Sequence, residues 1–200
     1  MGTELEWKYA VSDPALLDKI LQWPEIQRRM AEAPRQYHMQ SEYYDTPDGR
    51  IARARIAFRR RLENERSVFC VKAPLPGAAD PHLHGEWETE AETSADALPR
   101  LAALGAPVLP AALSALRVLC RADFTRRAVL LQFDDGSAAE LALDLGTLSG
   151  ATQAAPLCEL ELELKAGEPA AAHAFAEAIA AQFQLEPQPL SKYARAKALG

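Results

Sequence analysis

The sequence predicts an α+β fold, an antiparallel β-sheet with one charged face and a few amphipathic helices covering the other. Three observations carry this. Residues 159–165 alternate strictly, Glu159, Glu161 and Glu163 against Leu160, Leu162 and Leu164. That is the period of two of a strand, not the 3.6 of a helix. Residues 4–8 open the chain the same way, with Glu4, Glu6 and Lys8 alternating with Leu5 and Trp7. Charge on one face and apolar bulk on the other recurs in at least five strand-like runs, whereas helical spacing is confined to short segments.

The first strand is predicted over 4–10. Ser12, Asp13 and Pro14 then read as an N-cap with proline in the first turn, and Leu16, Leu17, Ile20 and Leu21 follow at helical spacing. Pro24 ends or bends that helix, and Pro34 closes a second short piece holding Ile26 and Met30. Residues 36–44 form a strand, and Thr46-Pro47-Asp48-Gly49 has the chemistry of a turn. The next strand is read over 53–61, with Arg53, Arg55, Ala57, Arg59 and Arg61 on one face and Ile56, Phe58, Arg60 and Leu62 on the other. A polar turn at 63–65 leads to a return strand over 67–72, and Pro74 to Gly77 begins a loop.

Glu86, Glu88, Glu90 and Glu92 alternate with Trp87, Thr89 and Ala91 in another strand with an acidic face. Ser94 caps a helix that runs to Leu104 and stops at Gly105, and a small helix is expected over 111–116. Residues 118–127 and 128–133 read as two strands. Asp134-Asp135-Gly136 is a hairpin turn before a strand over 138–145, which puts Glu140, Ala142 and Asp144 on one face. After the strand over 159–165, a helix from Pro169 carries Phe175, Ile179 and Phe183 on one stripe, and the tail holds Ser191-Lys192-Tyr193-Ala194-Arg195.

Two hundred residues suit one domain, 1–200, without a linker or internal repeat. The net charge of −6 gives no reason to expect a nucleic-acid polymer as partner. Three scattered cysteines, Cys70, Cys120 and Cys158, suit a reducing cytosol rather than a disulfide framework, and no Cys-x-x-Cys points to structural zinc. No stretch approaches a membrane span, and no signal peptide is expected, so the chain is placed in the cytoplasm. Its oligomeric state is not readable.

Taken singly, each charged strand face is that of an ordinary solvated strand. Like charges stacked on one strand, Glu159/Glu161/Glu163 and Arg59/Arg61, are less ordinary, since solvated faces more often mix signs. The charged faces therefore point either to water or into a closed barrel. In the second case, converging carboxylates repel unless a cation joins them, and a hard divalent ion, Mg²⁺ or Mn²⁺, takes oxygen ligands. Arginines and lysines facing the same space suit phosphate oxygens. Together these describe phosphoryl chemistry.

At these residues the sequence resembles the CYTH family, the triphosphate tunnel metalloenzymes. The family's N-terminal Glu-x-Glu-x-Lys is Glu4-x-Glu6-x-Lys8 here. Further matches follow in the family's order: Tyr44-Asp45-Thr46-Pro47, Arg59-x-Arg61, Lys72, Glu86, Arg126, Glu140 with Asp144, Glu159-x-Glu161-x-Glu163, and Ser191-Lys192-Tyr193-x-Arg195. The resemblance implies a closed antiparallel β-barrel, a tunnel with a charged interior and helices packed outside. It implies Mg²⁺ or Mn²⁺ held by Glu4, Glu6 and Glu161 with Glu159 or Glu163. Lys8, Arg59, Arg61, Lys72 and Arg126 would bind phosphate oxygens, and Lys192 and Arg195 would close one end. Catalytic work would fall to Lys8, Arg59, Arg61, Glu140 and Asp144, the last two forming with Glu86 a further acidic lining for a second ion or for positioning water.

Relatives often carry a basic residue where this chain has His84, and a two-domain arrangement with a helical CHAD domain is not expected. His82-x-His84 reads as a surface pair rather than a metal pair.

The expected activity is metal-dependent hydrolysis of inorganic triphosphate, a small-molecule substrate, to pyrophosphate and phosphate. The rivals are a thiamine, nucleoside or RNA triphosphatase or an adenylyl cyclase of the same tunnel, a phosphate-chain binding module without turnover, and a β-rich scaffold with solvated faces. Trp7 and Trp87, the candidates for holding an organic group, lie out of phase with the charged positions and are expected under the helices.

Overall fold

The computed structural model describes residues 2–75, 83–107 and 115–200. Eight strands close into one antiparallel barrel: β1 (Gly2–Ala10), β2 (Arg35–Asp45), β3 (Ala57–Glu63), β4 (Arg66–Pro74), β5 (Leu83–Glu90), β6 (Arg117–Gln132), β7 (Ala138–Ser149) and β8 (Ala154–Ala166). The order around the ring is β5-β4-β3-β2-β6-β7-β8-β1, and β1 pairs back onto β5 through Gly2–Leu5 against Leu83–Glu86. The two-residue strand β9 (Glu186–Pro187) adds to the far end of β1. A closed ring has no sheet edge, and side chains alternate strictly between its interior and its exterior. The alternation in the sequence is therefore that of a barrel.

The exterior face is apolar where helices lie on it. Helices α1 (Ala15–Leu21), α2 (Pro24–Gln27) and α5 (Pro169–Phe183) cover β1, β6, β7 and β8. Trp7, Leu17, Ile20, Leu141, Leu160 and Phe175 are buried there. Trp7 stacks on His173 of α5 with ring centroids 5.2 Å apart. Helix α4 (Ser94–Ala103) covers β3, β4 and β5, and buries Phe58, Phe69, Val71 and Trp87 against Ala97 and Leu101. Both tryptophans thus lie outside the barrel, as their phase predicts. No helix among the described residues is long and apolar enough to cross a membrane.

A third apolar cluster lies inside the barrel at one end. The C-terminal helix α6 (Lys192–Lys197) brings Ala196 and Tyr193 against Met39, Tyr43, Phe124, Leu148 and Leu157. The Tyr193 and Tyr43 rings are 5.2 Å apart. Ser191 caps α6 by accepting from Ala194 N, 3.1 Å away.

The structure departs from the predicted elements in three places. Residues 50–53, partly read as strand, form the single turn α3 (Arg50–Arg53), and β3 begins only at Ala57. The cause is the buried Asp45 carboxylate, which accepts from the Thr46, Ile51 and Ala52 amides at 2.7, 2.9 and 3.3 Å and curls the chain back. The N-cap of α4 is Thr93, not Ser94; its hydroxyl accepts from Asp96 N. Residues 117–132 form one long strand where two were expected, because the ladder with β2 over Arg117–Ala128 and the ladder with β7 over Arg121–Gln132 overlap across the expected break; the β2 ladder shifts register once, between Tyr43 and Tyr44. The small helix expected over 111–116 falls largely outside the described residues, as does His82.

Candidate active site

The inward phase of the barrel strands brings the predicted charged residues to one space. Glu4, Glu6 and Lys8 of β1 face Arg59 and Arg61 of β3, Lys72 of β4, Glu86 of β5, Arg126 of β6, Glu140 of β7, and Glu161 and Glu163 of β8. These side chains line a cavity of about 620 Å³, to which α6 adds Lys192. Asp144 and Glu159 sit fully buried beneath it, cross-strand partners on β7 and β8.

Nearly every cation within is already paired. Lys8 Nζ is 2.9 Å from Glu6 and 3.8 Å from Glu161. Lys72 joins Glu4 to Glu6, at 3.5 Å from the latter. Arg59 lies 3.4 Å from Glu86, and Arg61 2.5 Å from Glu63 and 3.1 Å from Glu88. Arg126 donates a bidentate pair to Asp144 at 2.8 and 2.7 Å and a further bond to Glu161. Lys192 Nζ reaches Asp144 and Glu161, both at 2.8 Å, and also Glu159, which Arg195 engages from farther along α6. Acids and bases therefore neutralise one another throughout the cavity. A phosphate chain accompanied by a divalent ion can displace these pairs charge for charge.

The balance is uneven, and the titration of the carboxylates follows it. Burial, aided by Glu6 and Glu86 and opposed by Lys72, pushes the Glu4 carboxyl up to about 7. Burial and Glu161 act the same way on Glu6, but Lys8 and Lys72 more than offset them and hold it below the usual carboxylate range. Glu161 lies well below that range despite its burial, because Lys192, Arg126 and Lys8 surround it. Burial and the charge of Glu161 raise Glu159 in spite of Lys192 and Arg195. Burial also pushes the Cys70 thiol well up, although Arg59 stands beside it, so it lines the cavity as a neutral group.

Several lining residues lay outside the predicted set. Glu88 shares the phase of Glu86 on β5, so the signal was present in the alternation. Glu63 falls in the predicted turn and Arg66 just after it, yet they end the β3–β4 hairpin facing the cavity, and Lys165 extends the inward row of β8. Arg53 and Arg55, read in phase with Arg59, lie instead in α3 and in the turn that follows it; Arg53 pairs with Asp48 on the surface. His84 is in register with Glu4 across the β1–β5 seam.

The fold and this cavity define a closed β-barrel protein with an ion-paired interior open to an anionic ligand. The chain belongs to the CYTH family: the CYTH domain matches residues 2–196. Solved structures share the fold at low identity. A putative adenylyl cyclase of Hippeastrum, described as having a dominant triphosphatase activity, is 15% identical with a TM-score of 0.58, over 99% of this chain and 96% of that one. A putative adenylate cyclase of Bacillus halodurans is 19% identical with a TM-score of 0.58, over 96% of both chains. The PH1819 protein of Pyrococcus horikoshii is 15% identical with a TM-score of 0.57, over 96% and 97%.

Proposed function

We propose that this chain hydrolyses inorganic triphosphate to pyrophosphate and phosphate with the aid of Mg²⁺ or Mn²⁺. One observation carries the reading. The cavity walls interleave carboxylates and cations, while the large apolar side chains inside the barrel, Met39, Tyr43 and Phe124, are spent on packing against α6. A bare phosphate chain needs the first and has no use for an apolar platform.

The donor set suits a hard divalent ion. Glu4, Glu6 and Glu161 are linked in sequence by the ammonium groups of Lys72 and Lys8, and burial, with the charges of Glu6 and Glu86 added, raises the Glu4 carboxyl in spite of Lys72. These three carboxylates would hold the ion, which supplies charge neutralisation of the phosphate oxygens when bound. Of the other two candidate ligands, Glu163 pairs with Lys165 at 2.7 Å, and Glu159 converges with Asp144 and Glu161 in a buried group of carboxylates that Lys192 and Arg195 hold.

Arg59, Arg61, Lys8 and Lys72 bind and orient the phosphate chain and stabilise the charge that develops on its equatorial oxygens. Arg126 does the same from the opposite wall, and Asp144 holds it in place as a positioning residue. Glu140, on the cavity wall, orients the attacking water. Lys192 and Arg195 fasten α6.

The test is phosphate release from tripolyphosphate, pyrophosphate, ATP and thiamine triphosphate, side by side, with Mg²⁺, Mn²⁺ or EDTA. Metal-dependent turnover of tripolyphosphate with weak turnover of ATP is expected. Turnover mainly of an organic triphosphate would replace the substrate. Tyr37, half-buried on the cavity wall at the edge of the cluster beneath α6, is the side chain that favours that second reading.

A further inference from the structure

On the inward row of β4, between Arg66 and Lys72, one thiol stands among the charges. Arg59 is the partner of Cys70 across to β3, Glu88 is its partner across to β5, and Glu86 lies on the diagonal. The thiol is buried and donates to Glu86 Oε1 at 3.0 Å. Arg59 reaches the same oxygen, at 3.4 Å. The thiol thus holds the near position and the guanidinium the far one. Charge-assisted pairs ordinarily close to about 2.7–2.9 Å, and Arg126 does so on Asp144, at 2.8 and 2.7 Å. Arg59 does not. Its other carboxylate, Glu88, is 3.8 Å away, and its buried Nε has no hydrogen-bond partner among the described residues. The Arg59 and Glu86 side chains are each only 20% exposed, so this slack is not that of a solvated surface pair.

We infer that Cys70 is a positioning residue for substrate binding: its thiol occupies Glu86 Oε1 and keeps Arg59 from closing on that carboxylate, which leaves the guanidinium available to phosphate oxygens. The inference rests on the functional reading above and adds a residue that the reading does not use. The choice of side chain at position 70 follows from its neighbours. A lysine or arginine would bind Glu86 and Glu88 outright and add a further cation to the wall. An aliphatic side chain would leave both carboxylates to Arg59. A thiol is an uncharged, weak donor, enough to take up one oxygen and no more. Cys70 acts only through the Arg59–Glu86 pair. Substrate must part that pair before Arg59 can engage it, in the ground state and the transition state alike. Loss of the thiol should therefore raise KM and spare kcat.

The experiment compares the whole wild-type chain with Cys70→Val, Cys70→Ala and Cys70→Ser, using tripolyphosphate and Mg²⁺. Valine fills the space without a donor, and serine keeps a donor in a smaller side chain. A packing role and a donor role therefore rank these two variants in opposite order. Cys70→Val and Cys70→Ala should raise KM by about fivefold, the scale of one hydrogen bond, with kcat within about twofold of the parent. Cys70→Ser should bring KM back to within about twofold. In a Glu86→Gln background, which removes the shared carboxylate, Cys70→Val should add nothing further to KM. Valine and serine shifting KM alike, serine shifting it more than valine, a loss confined to kcat, or additive effects with Glu86→Gln would each overturn the inference. Failure of the parent chain to turn over tripolyphosphate would instead overturn the functional reading. Calorimetric titration of the same proteins with tripolyphosphate and Mg²⁺ would then still decide the role of the thiol, through weaker binding by the valine variant than by the serine variant. Absence of binding by all of them would overturn both.

Discussion

The ammonium of Lys192 lies 2.8 Å from Glu161 Oε1, so the C-terminal helix is tied to the same carboxylate that Lys8 and Arg126 address from within the barrel. Lys192 is buried, and so are Asp144 and Glu159, the other two carboxylates it touches. Replacing Lys192 with Met leaves three buried acids short of a counter-charge. Removing one partner of a buried pair costs about 3–5 kcal/mol. The variant is expected to melt well below the parent protein in EDTA, measured by calorimetry, and its α6 amides should lose protection from hydrogen exchange.

Glu4 makes the site sensitive to pH in a defined direction. Between its ordinary value of 4.5 and about 7, the folded chain holds a proton on Glu4 that the unfolded chain releases. Its contribution to the stability of the metal-free protein is therefore fully present below 4.5 and is lost as pH rises through 7. Metal binding needs the ionised form, so affinity for Mn²⁺ should rise with pH and level off above 7. Below that point it should weaken by about tenfold per pH unit for the one proton released. Titration calorimetry at pH 6 and 8 reads this, and Glu4→Gln should bind weakly with a flattened profile.

Adjacent arginines on β3 should behave in opposite ways. Arg59 faces Glu86 inside the barrel, while Arg60 faces out, bonding Ser67 Oγ at 3.0 Å near the Phe69 ring. Arg59→Ala should lower kcat/KM for tripolyphosphate by about a hundredfold, the scale of one preorganised electrostatic donor. Arg60→Ala should leave turnover unchanged. Equal losses in the two variants would remove Arg59 from the chemistry.

Trp7 stands between Glu6 and Lys8 in sequence but on the other side of the barrel wall. Trp7→Ala should cost about 3–5 kcal/mol of stability by emptying the space beneath α5. KM for tripolyphosphate should not move at temperatures where the variant stays folded. A raised KM would place the indole's influence within the cavity after all.

Much of this arrangement was legible in the sequence because a strand's period of two sorts side chains onto two faces without further information. The Glu4-x-Glu6-x-Lys8 and Glu159-x-Glu161-x-Glu163 rows needed only that rule, and the opposite phase of Trp7 and Trp87 followed from it. Whether those faces met solvent or one another was not legible from periodicity, since closure depends on β1 pairing with β5. The α3 turn was missed because its cause is not local propensity. The run from Arg53 to Arg61 alternates acceptably as a strand, and only the burial of Asp45 converts its start into a turn. Nor could charge patterning reveal the apolar filling at the inner end, where Met39, Tyr43 and Phe124 share a cavity with arginines.

The seam between β1 and β5 joins only four residue pairs, and on its other side β1 pairs with β8, some 150 positions later in the chain. The N-terminal strand thus closes the ring only where β5 and β8 are both in place. Two of the proposed ion ligands, Glu4 and Glu6, ride on it. Assembly of the charged interior must wait for nearly all of the chain, which favours slow, non-local folding. A chain lacking its first nine residues would not have a shorter tunnel; it would have a slot along its side, with the acids of β8 and the cations of β4 opened to water.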